Sequence, residues 1–462
     1  MRAPFDFDRR TLVFFFLGQG VLIFLCAVCP LVVPAATVGI LFLWLASRHP
    51  FFAVNSLILL HIFIVESTEG VSVPEVFVGL LLFYVVSIWF FKKGFLEQTQ
   101  VVFNRADCGL ILFLSSCVFS LILAVLFGVS FSRWVRELVP FMTFMLFFPL
   151  RDALRNKKDV QIVVAMLFIL CLYAVFRNLV RYRSAIAIAE MYWQIASSRA
   201  ASNEPFFFVS IVLAVSVLLF TVSWKVRILM SVLVSVFALA LIITFSRGYW
   251  IATCIAFIVL FILSPLRTKI KILLFTSIVV MLSGMVVMLF FGDFGRLLLE
   301  SVFGRFVTIG SFLEDPSFRS RLAESAKVIG YILRNPILGY GLGKEYEFVS
   351  IIPREMPTAY VHNVYLFLMF KIGLAGTLMF LYFYGRMIRQ GYRNYRRQTD
   401  AILKAVMLGI LSYLIAMLPL SVSSPQFIQK DSILLIAVGM AILSFGEQYS
   451  LRKCELNPNG ED

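Results

Sequence analysis

Three short segments of the chain carry side chains suited to chemistry on a phosphorylated substrate. They hold Arg247, the neighbouring pair Arg319 and Arg321, and His362. A guanidinium group can grip a phosphate through two parallel charge-assisted hydrogen bonds, and histidine suits proton transfer near neutral pH. Brought together, these groups suit transfer from a diphosphate: histidine takes the proton of a hydroxyl acceptor while arginine neutralises the departing diphosphate.

Each segment also has a plainer interpretation when it is taken alone. Arg247 could be an arginine that reaches the membrane interface from a helix end. The pair Arg319 and Arg321 could lie on a solvated helix face, and His362 could be an interfacial histidine. The chain has 3 histidines and no His-Glu-x-x-His or similar ligand pattern, so we expect no bound metal and no cofactor.

The composition places these residues in a membrane protein. The chain of 462 residues is 61% hydrophobic and only 15% charged, whereas soluble domains are about 45–50% apolar and about 25% charged. This balance excludes a water-soluble enzyme, a disordered chain and a secreted disulfide scaffold. The formal net charge of +15 is expected in cytoplasmic loops, and nothing in the chain indicates a nucleic-acid partner. We therefore predict an all-α polytopic membrane protein embedded in a lipid bilayer.

Apolar segments predict about 14 transmembrane helices, or 12–14 because the first two segments are weakly divided. The candidates cover residues 11–29, 31–47, 51–66, 73–91, 108–128, 134–150, 160–180, 205–222, 226–245, 248–264, 270–291, 360–384, 403–423 and 432–447. With the N-terminus inside, every internal connection is basic, as the positive-inside tendency requires. Both termini then lie in the cytoplasm.

This topology divides the chain into four parts. Residues 1–291 hold helices 1–11, residues 292–359 form a long external loop, residues 360–447 hold helices 12–14, and residues 448–462 form a cytoplasmic tail. The loop and the outer helix ends bring Arg247, both loop arginines and His362 to the same membrane face. We expect Arg247, Arg321 and His362 to converge in one cavity there.

The long loop predicts a helix followed by a tight turn. Asp315 and Pro316 suit a helix start, and Asn335-Pro336 suits its end. An apolar stripe, expected to face inward over the cavity, recurs at helical spacing: Leu322, Ala326, Ile329 and Leu333. The glycines of Gly339-Tyr340-Gly341-Leu342-Gly343 indicate a turn that returns the chain to the membrane, because no strand and no Gly-Lys-Ser/Thr pattern supports a nucleotide-binding loop.

Three motifs in order over residues 205–385 resemble the O-antigen ligase and O-antigen polymerase family of bacterial envelope proteins. They are Ser246-Arg247-Gly248; Ser320-Arg321-Leu322 through Pro336-Ile337-Leu338-Gly339-Tyr340-Gly341-Leu342-Gly343; and His362-Asn363-x-Tyr365-Leu366 with Gly373 and Gly376. The chain departs from the family in lacking the tryptophan that often follows the second arginine, and in placing Arg319 beside Arg321.

The resemblance implies a function at the periplasmic face of the bacterial inner membrane. His362 would be the general base that activates a sugar hydroxyl, and Arg247 and Arg321, or Arg319 in its place, would hold the diphosphate of an undecaprenyl-diphosphate-linked glycan donor. The transfer would be inverting and independent of metal. The acceptor would be the lipid A core in a ligase or a growing polysaccharide in a polymerase, and the sequence does not separate the two.

A polysaccharide flippase or another polytopic transporter is the alternative. Its size and span number fit, but transporters usually show internal repeats and charged residues near the bilayer midplane. No repeat is visible by eye, and only His61 and Arg177 are evident as ionisable residues well inside predicted spans. The sequence therefore favours the transferase.

Overall fold

A computed structural model describes residues 32–64, 73–96, 104–188, 202–265, 316–349, 355–358 and 360–456. The helices of these ranges are α1 (Val32–Arg48), α2 (Pro50–Ile64), α3 (Val73–Phe91), α4 (Arg105–Leu126), α5 (Phe131–Met142), α6 (Phe147–Ala153), α7 (Lys157–Ile188), α8 (Glu204–Phe220), α9 (Trp224–Ile243), α10 (Arg247–Leu263), α11 (Pro316–Arg334), α12 (Val364–Arg397), α13 (Ala401–Leu420) and α14 (Lys430–Leu456). A single hairpin of strands β1 (Tyr346–Val349) and β2 (Glu355–Thr358) accompanies them.

The described helices agree with an all-α polytopic membrane protein. Six of them, α3, α4, α7, α9, α12 and α13, are long and apolar enough to cross a membrane, and α2, α8 and α10 are shorter apolar helices. The predicted spans 11–29 and 270–291 lie outside the described residues, so the total of about 14 stays a prediction. The predicted span 134–150 is a broken helix, in which a 3₁₀ turn at Thr143–Leu146 separates α5 from α6.

Helices α8, α13 and α14 form the centre of the bundle. Most side chains of α8 and α13 are buried, including polar ones such as Ser210 and Ser412. A helix that is apolar on all sides belongs inside a protein or a membrane, because it has no face that prefers water. Helix α8 packs against α9 and α13, and α10 packs against α13. The predicted motif at the start of α10 therefore lies against this centre.

Helix α12 is broken where the glycine-rich turn docks on it. Gly373 has a φ of 68°, a left-handed value inside the helix. The freed backbone pairs with the turn: the amides of Tyr340 and Gly341 donate to the carbonyls of Phe370 and Lys371, at 2.9 and 2.8 Å, and the amide of Leu374 donates to the carbonyl of Pro336 at 2.9 Å. The predicted tight turn is present, and it satisfies the backbone groups that the break leaves open.

The turn fits α12 so closely that side chains are excluded. A Cβ atom on Gly373 would lie 2.1 Å from the carbonyl oxygen of Ile337, and one on Gly341 would lie 2.3 Å from the amide nitrogen of Ala124. A buried ion pair fixes the same contact: Lys371 Nζ lies 2.8 Å from Glu137 Oε1 and also donates to the carbonyl of Lys344. The turn is therefore clamped between α4, α5 and α12.

Helix α11 confirms the predicted helix, but the predicted orientation is wrong. Leu322, Ile329 and Leu333 of the apolar stripe are 52%, 43% and 75% exposed. The buried face instead carries Glu324, Val328 and Ile332. The stripe faces outward because α11 uses the other face to contact α12, with Glu324 bonded to His362.

Candidate active site

The connection between α13 and α14, residues 421–429 (the 421–429 connection), is where the three predicted motifs meet. Tyr249, near the start of α10, donates its hydroxyl hydrogen to Gln426 Oε1 at 2.7 Å. Arg321 of α11 donates from Nη1 to the carbonyl of Ser423 at 2.7 Å. The amide of Val364, at the start of α12, donates to the carbonyl of Ser421 at 3.1 Å. Elements far apart in the sequence thus share one short segment.

Arg247 is the first residue of α10 and follows a tight turn from α9. Phe245 adopts a left-handed φ of 54° in this turn, and Trp250 Nε1 donates back to the carbonyl of Leu241 at 3.2 Å. Next to the arginine, a Cβ on Gly248 would come within 3.1 Å of Leu420, the last residue of α13. The small residue after Arg247 therefore allows α10 to start against the 421–429 connection.

The two loop arginines have different surroundings. Arg321 is half-buried and reaches Ser423, whereas Arg319, two residues earlier on α11, is exposed. Glu324 follows Arg321 by one helical turn and is therefore on the same face of α11. Its side chain is only 6% exposed. Arg321 and Glu324 thus share one face of α11, from which Glu324 reaches His362.

His362 is held by Glu324 through two hydrogen bonds. The backbone amide of His362 donates to Oε1 at 2.6 Å, and the ring atom Nδ1 lies 2.7 Å from Oε2. A carboxylate only accepts hydrogen bonds, so in the neutral form of the ring this contact assigns the proton to Nδ1 and leaves the lone pair on Nε2. The histidine side chain is 35% exposed. Nε2 is therefore the ring nitrogen available to take a proton from a ligand.

The residues after His362 start α12 and attach it to α13. The side chain of Asn363 accepts from the amides of Tyr365 and Leu366 at 3.0 and 3.3 Å, which is an N-cap. Tyr365 donates its hydroxyl hydrogen to the carbonyl of Leu418 at 2.7 Å. The His-Asn-x-Tyr pattern therefore combines the exposed ring with the cap and the anchor that fix its position.

The hairpin supports the other side of the histidine. The ring of Tyr360 meets that of His362 edge to face, with centroids 4.9 Å apart. Tyr346 of β1 donates its hydroxyl hydrogen to the carbonyl of Tyr360 at 2.9 Å. Burial, and next the charge of Glu324, raise the pKa of the Tyr346 hydroxyl. Tyr346 therefore stays protonated as the donor that holds Tyr360 against the histidine.

Sequence reasoning missed several residues of this region. Glu324 was available as a signal, because Arg321-x-x-Glu324 puts two opposite charges on one helix face. Lys371 and Glu137 lie inside predicted spans and were overlooked among the ionisable residues there. The role of the 421–429 connection had no sequence signal, since Ser421 and Ser423 contribute through their backbone carbonyls. Within the described ranges, no group of three or more His, Cys, Asp or Glu side chains is arranged to hold a metal ion.

Comparison with known proteins finds a family model that matches part of the chain. Residues 232–381 match the O-antigen ligase family model, a stretch that includes Arg247, Arg321, Glu324 and His362. No curated protein matches the chain. The matched stretch runs from α9 into α12 and so contains all three motifs that meet at the 421–429 connection. Residues 232–381 of this multi-pass membrane chain thus match the O-antigen ligase model, and the match supports the resemblance to the O-antigen ligase and polymerase family.

Proposed function

We propose that the chain is a membrane glycosyltransferase that moves a glycan from a polyprenyl diphosphate carrier, such as undecaprenyl diphosphate, to a sugar hydroxyl. The observation that carries the proposal is the double contact of Glu324 with His362, one helical turn from Arg321. An oriented histidine and a guanidinium with the geometry for phosphate support this proposal. The family match supports a ligase-like or polymerase-like role in O-antigen assembly.

His362 acts as the general base in this proposal. Nε2 takes the proton of the acceptor hydroxyl while the oxygen attacks the anomeric carbon of the donor sugar. The bond from that carbon to the diphosphate oxygen breaks, and the diphosphate leaves with the bonding electrons. A single displacement of this kind inverts the anomeric configuration. Glu324 is a positioning residue that fixes the tautomer and stabilises the imidazolium as it forms.

The arginines neutralise the departing diphosphate. Arg321 donates from Nη1 to the carbonyl of Ser423, and a guanidinium, with five N–H donors, is suited to bind phosphate oxygens. Arg247 supplies a second guanidinium from the start of α10, next to the same connection. Two such groups can provide the charge stabilisation that a metal ion provides in other transferases. We therefore propose that transfer needs no divalent metal.

The site faces the periplasm in this proposal, with both chain termini in the cytoplasm of a bacterial cell and the protein in the inner membrane. The positive-inside assignment supports this orientation. The acceptor is the lipid A core or a growing polysaccharide, and both present the sugar hydroxyl that His362 needs.

The test is transfer by the purified full chain, supplied with an undecaprenyl-diphosphate glycan and candidate acceptors in the presence of a chelator. We expect transfer by the natural chain and its loss in His362→Ala, by about a hundred- to ten-thousand-fold, with donor binding retained. Full activity of His362→Ala contradicts the base assignment. Activity that the chelator removes and magnesium restores contradicts the metal-free mechanism.

The same preparation tests the transporter alternative. If no acceptor is glycosylated but the lipid-linked glycan crosses vesicle membranes only when the protein is present, the chain is a flippase. The expected result is the reverse: glycosylated acceptor forms, and the rate at which the donor crosses vesicle membranes does not change.

A further inference from the structure

A cavity of about 670 Å³ lies at the end of the bundle opposite the candidate active site. It is lined by residues from the end of α1, the start of α2, the end of α3, the helix α6 and the start of α7. Helix α2 runs from one end of the bundle to the other. His49 and Pro50, at its start, line the cavity. His61, near its other end, lies 3.0 Å from Asp431, which follows the 421–429 connection. The cavity is therefore separate from the residues proposed for transfer.

The lining of the cavity is net positive. It contains the cations Arg48, Lys92, Lys93 and Arg155 and the acids Asp152 and Asp159. Both carboxylates have partners within the protein. Asp152 accepts from Trp89 Nε1 at 2.8 Å and lies 3.5 Å from Lys93, and Asp159 accepts from two backbone amides at the start of α7. Among the described residues, no carboxylate lies within ion-pair distance of Arg48 or Lys92.

An irregular end of α3 brings adjacent lysines to this cavity. Residues Lys92–Leu96 form a π-helical turn, a wider geometry that often marks functional positions. Lys92 Nζ donates to the carbonyl of Ser47, near the end of α1. An ammonium group has three donors, so two remain for a ligand. The turn thus positions a cation at the cavity wall and ties α3 to α1 beside Arg48.

The surface around the cavity suits the edge of a bilayer. Large apolar side chains on the three helices whose ends line it are exposed: Trp44 is 54%, Phe52 39%, Phe90 61% and Phe91 54% exposed. Aromatic side chains collect at membrane interfaces, where lipid headgroups meet acyl chains. A ligand with a charged head and apolar tails would contact both the basic cavity and these exposed rings.

We propose that this cavity binds the phosphate headgroup of an anionic membrane phospholipid. Arg48 and Lys92 contact the phosphate, and the acyl chains lie along the exposed aromatic surface of α1, α2 and α3. Basic pockets between membrane helices bind such headgroups because they combine charge with a location at headgroup depth. The bound lipid joins α1, α3 and α7 and stabilises this end of the bundle.

The test uses the full chain, purified in detergent and depleted of lipid. Thermal unfolding is followed while phosphatidylglycerol, or phosphatidylcholine with the same acyl chains, is added. We expect phosphatidylglycerol to raise the Tm in a saturable way and phosphatidylcholine to have little effect. Arg48→Gln and Lys92→Gln should each raise the half-saturating lipid concentration about fivefold. Lys92→Arg keeps the charge and should behave like the natural chain.

Arg393→Gln is the matched control. Arg393 is exposed near the C-terminal end of α12. This end lies on the same side of the bundle as the cavity, because Asp400, the N-cap of the following helix α13, pairs with Lys157 at the start of α7. The loss of Arg393 should leave the half-saturating concentration unchanged. An equal effect of Arg393→Gln, or an equal response to phosphatidylcholine, overturns the proposal. An equal rise in Tm with glycerol phosphate or inorganic phosphate shows a site for free phosphate and also overturns it.

Discussion

The contact between Glu324 and His362 gives the sharpest prediction, through the substitution Glu324→Gln. Glutamine keeps the size of the side chain but replaces one acceptor oxygen with an NH₂ donor. The natural carboxylate accepts from both the backbone amide and Nδ1 of His362, at 2.6 and 2.7 Å, with one oxygen for each. A glutamine has a single terminal oxygen, so it cannot accept both hydrogens in this geometry.

The two orientations open to the substituted amide differ in cost. If the amide oxygen faces Nδ1, the NH₂ group meets the backbone N–H, and an unsatisfied buried donor costs about 1–3 kcal/mol. If the oxygen faces the backbone N–H, the NH₂ group donates to Nδ1, and the ring proton moves to Nε2. The second orientation avoids that cost, but Nε2 then has no lone pair. Loss of the base lowers kcat by about 10²- to 10⁴-fold.

The assay is acceptor glycosylation at saturating donor, with Tm measured on the same preparations. We expect Glu324→Gln to lower kcat while the KM for the donor and the Tm stay close to those of the natural chain. Glu347→Gln, at an exposed position of β1, is the control and should retain activity. A Glu324→Gln variant with natural kcat, or one that loses activity only because it unfolds, would refute the reasoning.

Three further predictions address the arginine, the broken helix and a helix cap. Arg321→Lys should lower kcat/KM for the donor about 10- to 100-fold, because an ammonium cannot replace the bidentate hydrogen bonds of a guanidinium to phosphate. The control Arg319→Lys should retain activity, and equal losses in transfer assays would contradict the assignment of Arg321. Gly373→Ala should lower the Tm strongly because the added Cβ has no space. The control Gly330→Ala has open space around it and should leave the Tm unchanged. Similar Tm values for the two variants would refute the close contact between the glycine-rich turn and α12. Burial alone would raise the pKa of Asp400, but the hydrogen bond from Lys157 and those from the amides of Leu403 and Ile402 lower it. The stabilisation of the fold by ionised Asp400 is therefore complete above the ordinary aspartate pKa, and it is lost as pH falls through the lowered pKa of the folded state. Asp400→Ala should then lower the free energy of unfolding by about 1 kcal/mol at neutral pH, with a difference that shrinks in acid; a difference independent of pH would contradict the cap.

The sequence predicted most of the elements because each depends on local patterns. Apolar runs placed the helices, Asp315-Pro316 and Asn335-Pro336 placed the ends of α11, and the glycines at 339, 341 and 343 indicated the turn. The order of the motifs also predicted that Arg321 and His362 belong to one site, and this stays a prediction.

The orientation of α11 shows what local patterns cannot decide. A stripe such as Leu322, Ile329 and Leu333 identifies an apolar face, but not what covers it. In a membrane protein, lipid can cover an apolar face, so a helix can turn its polar face, with Glu324, toward the protein. The break at Gly373 and the pair of Lys371 with Glu137 likewise depend on contacts between distant segments.

The most direct test of the central claim is an experimental structure of the chain with undecaprenyl diphosphate bound. The account predicts that phosphate oxygens lie within hydrogen-bond distance of the guanidinium groups of Arg321 and Arg247, beside the 421–429 connection, with Nε2 of His362 facing the position of the transferred sugar. A diphosphate bound elsewhere, with Arg321 still on Ser423 and His362 open to solvent, would contradict the shared site.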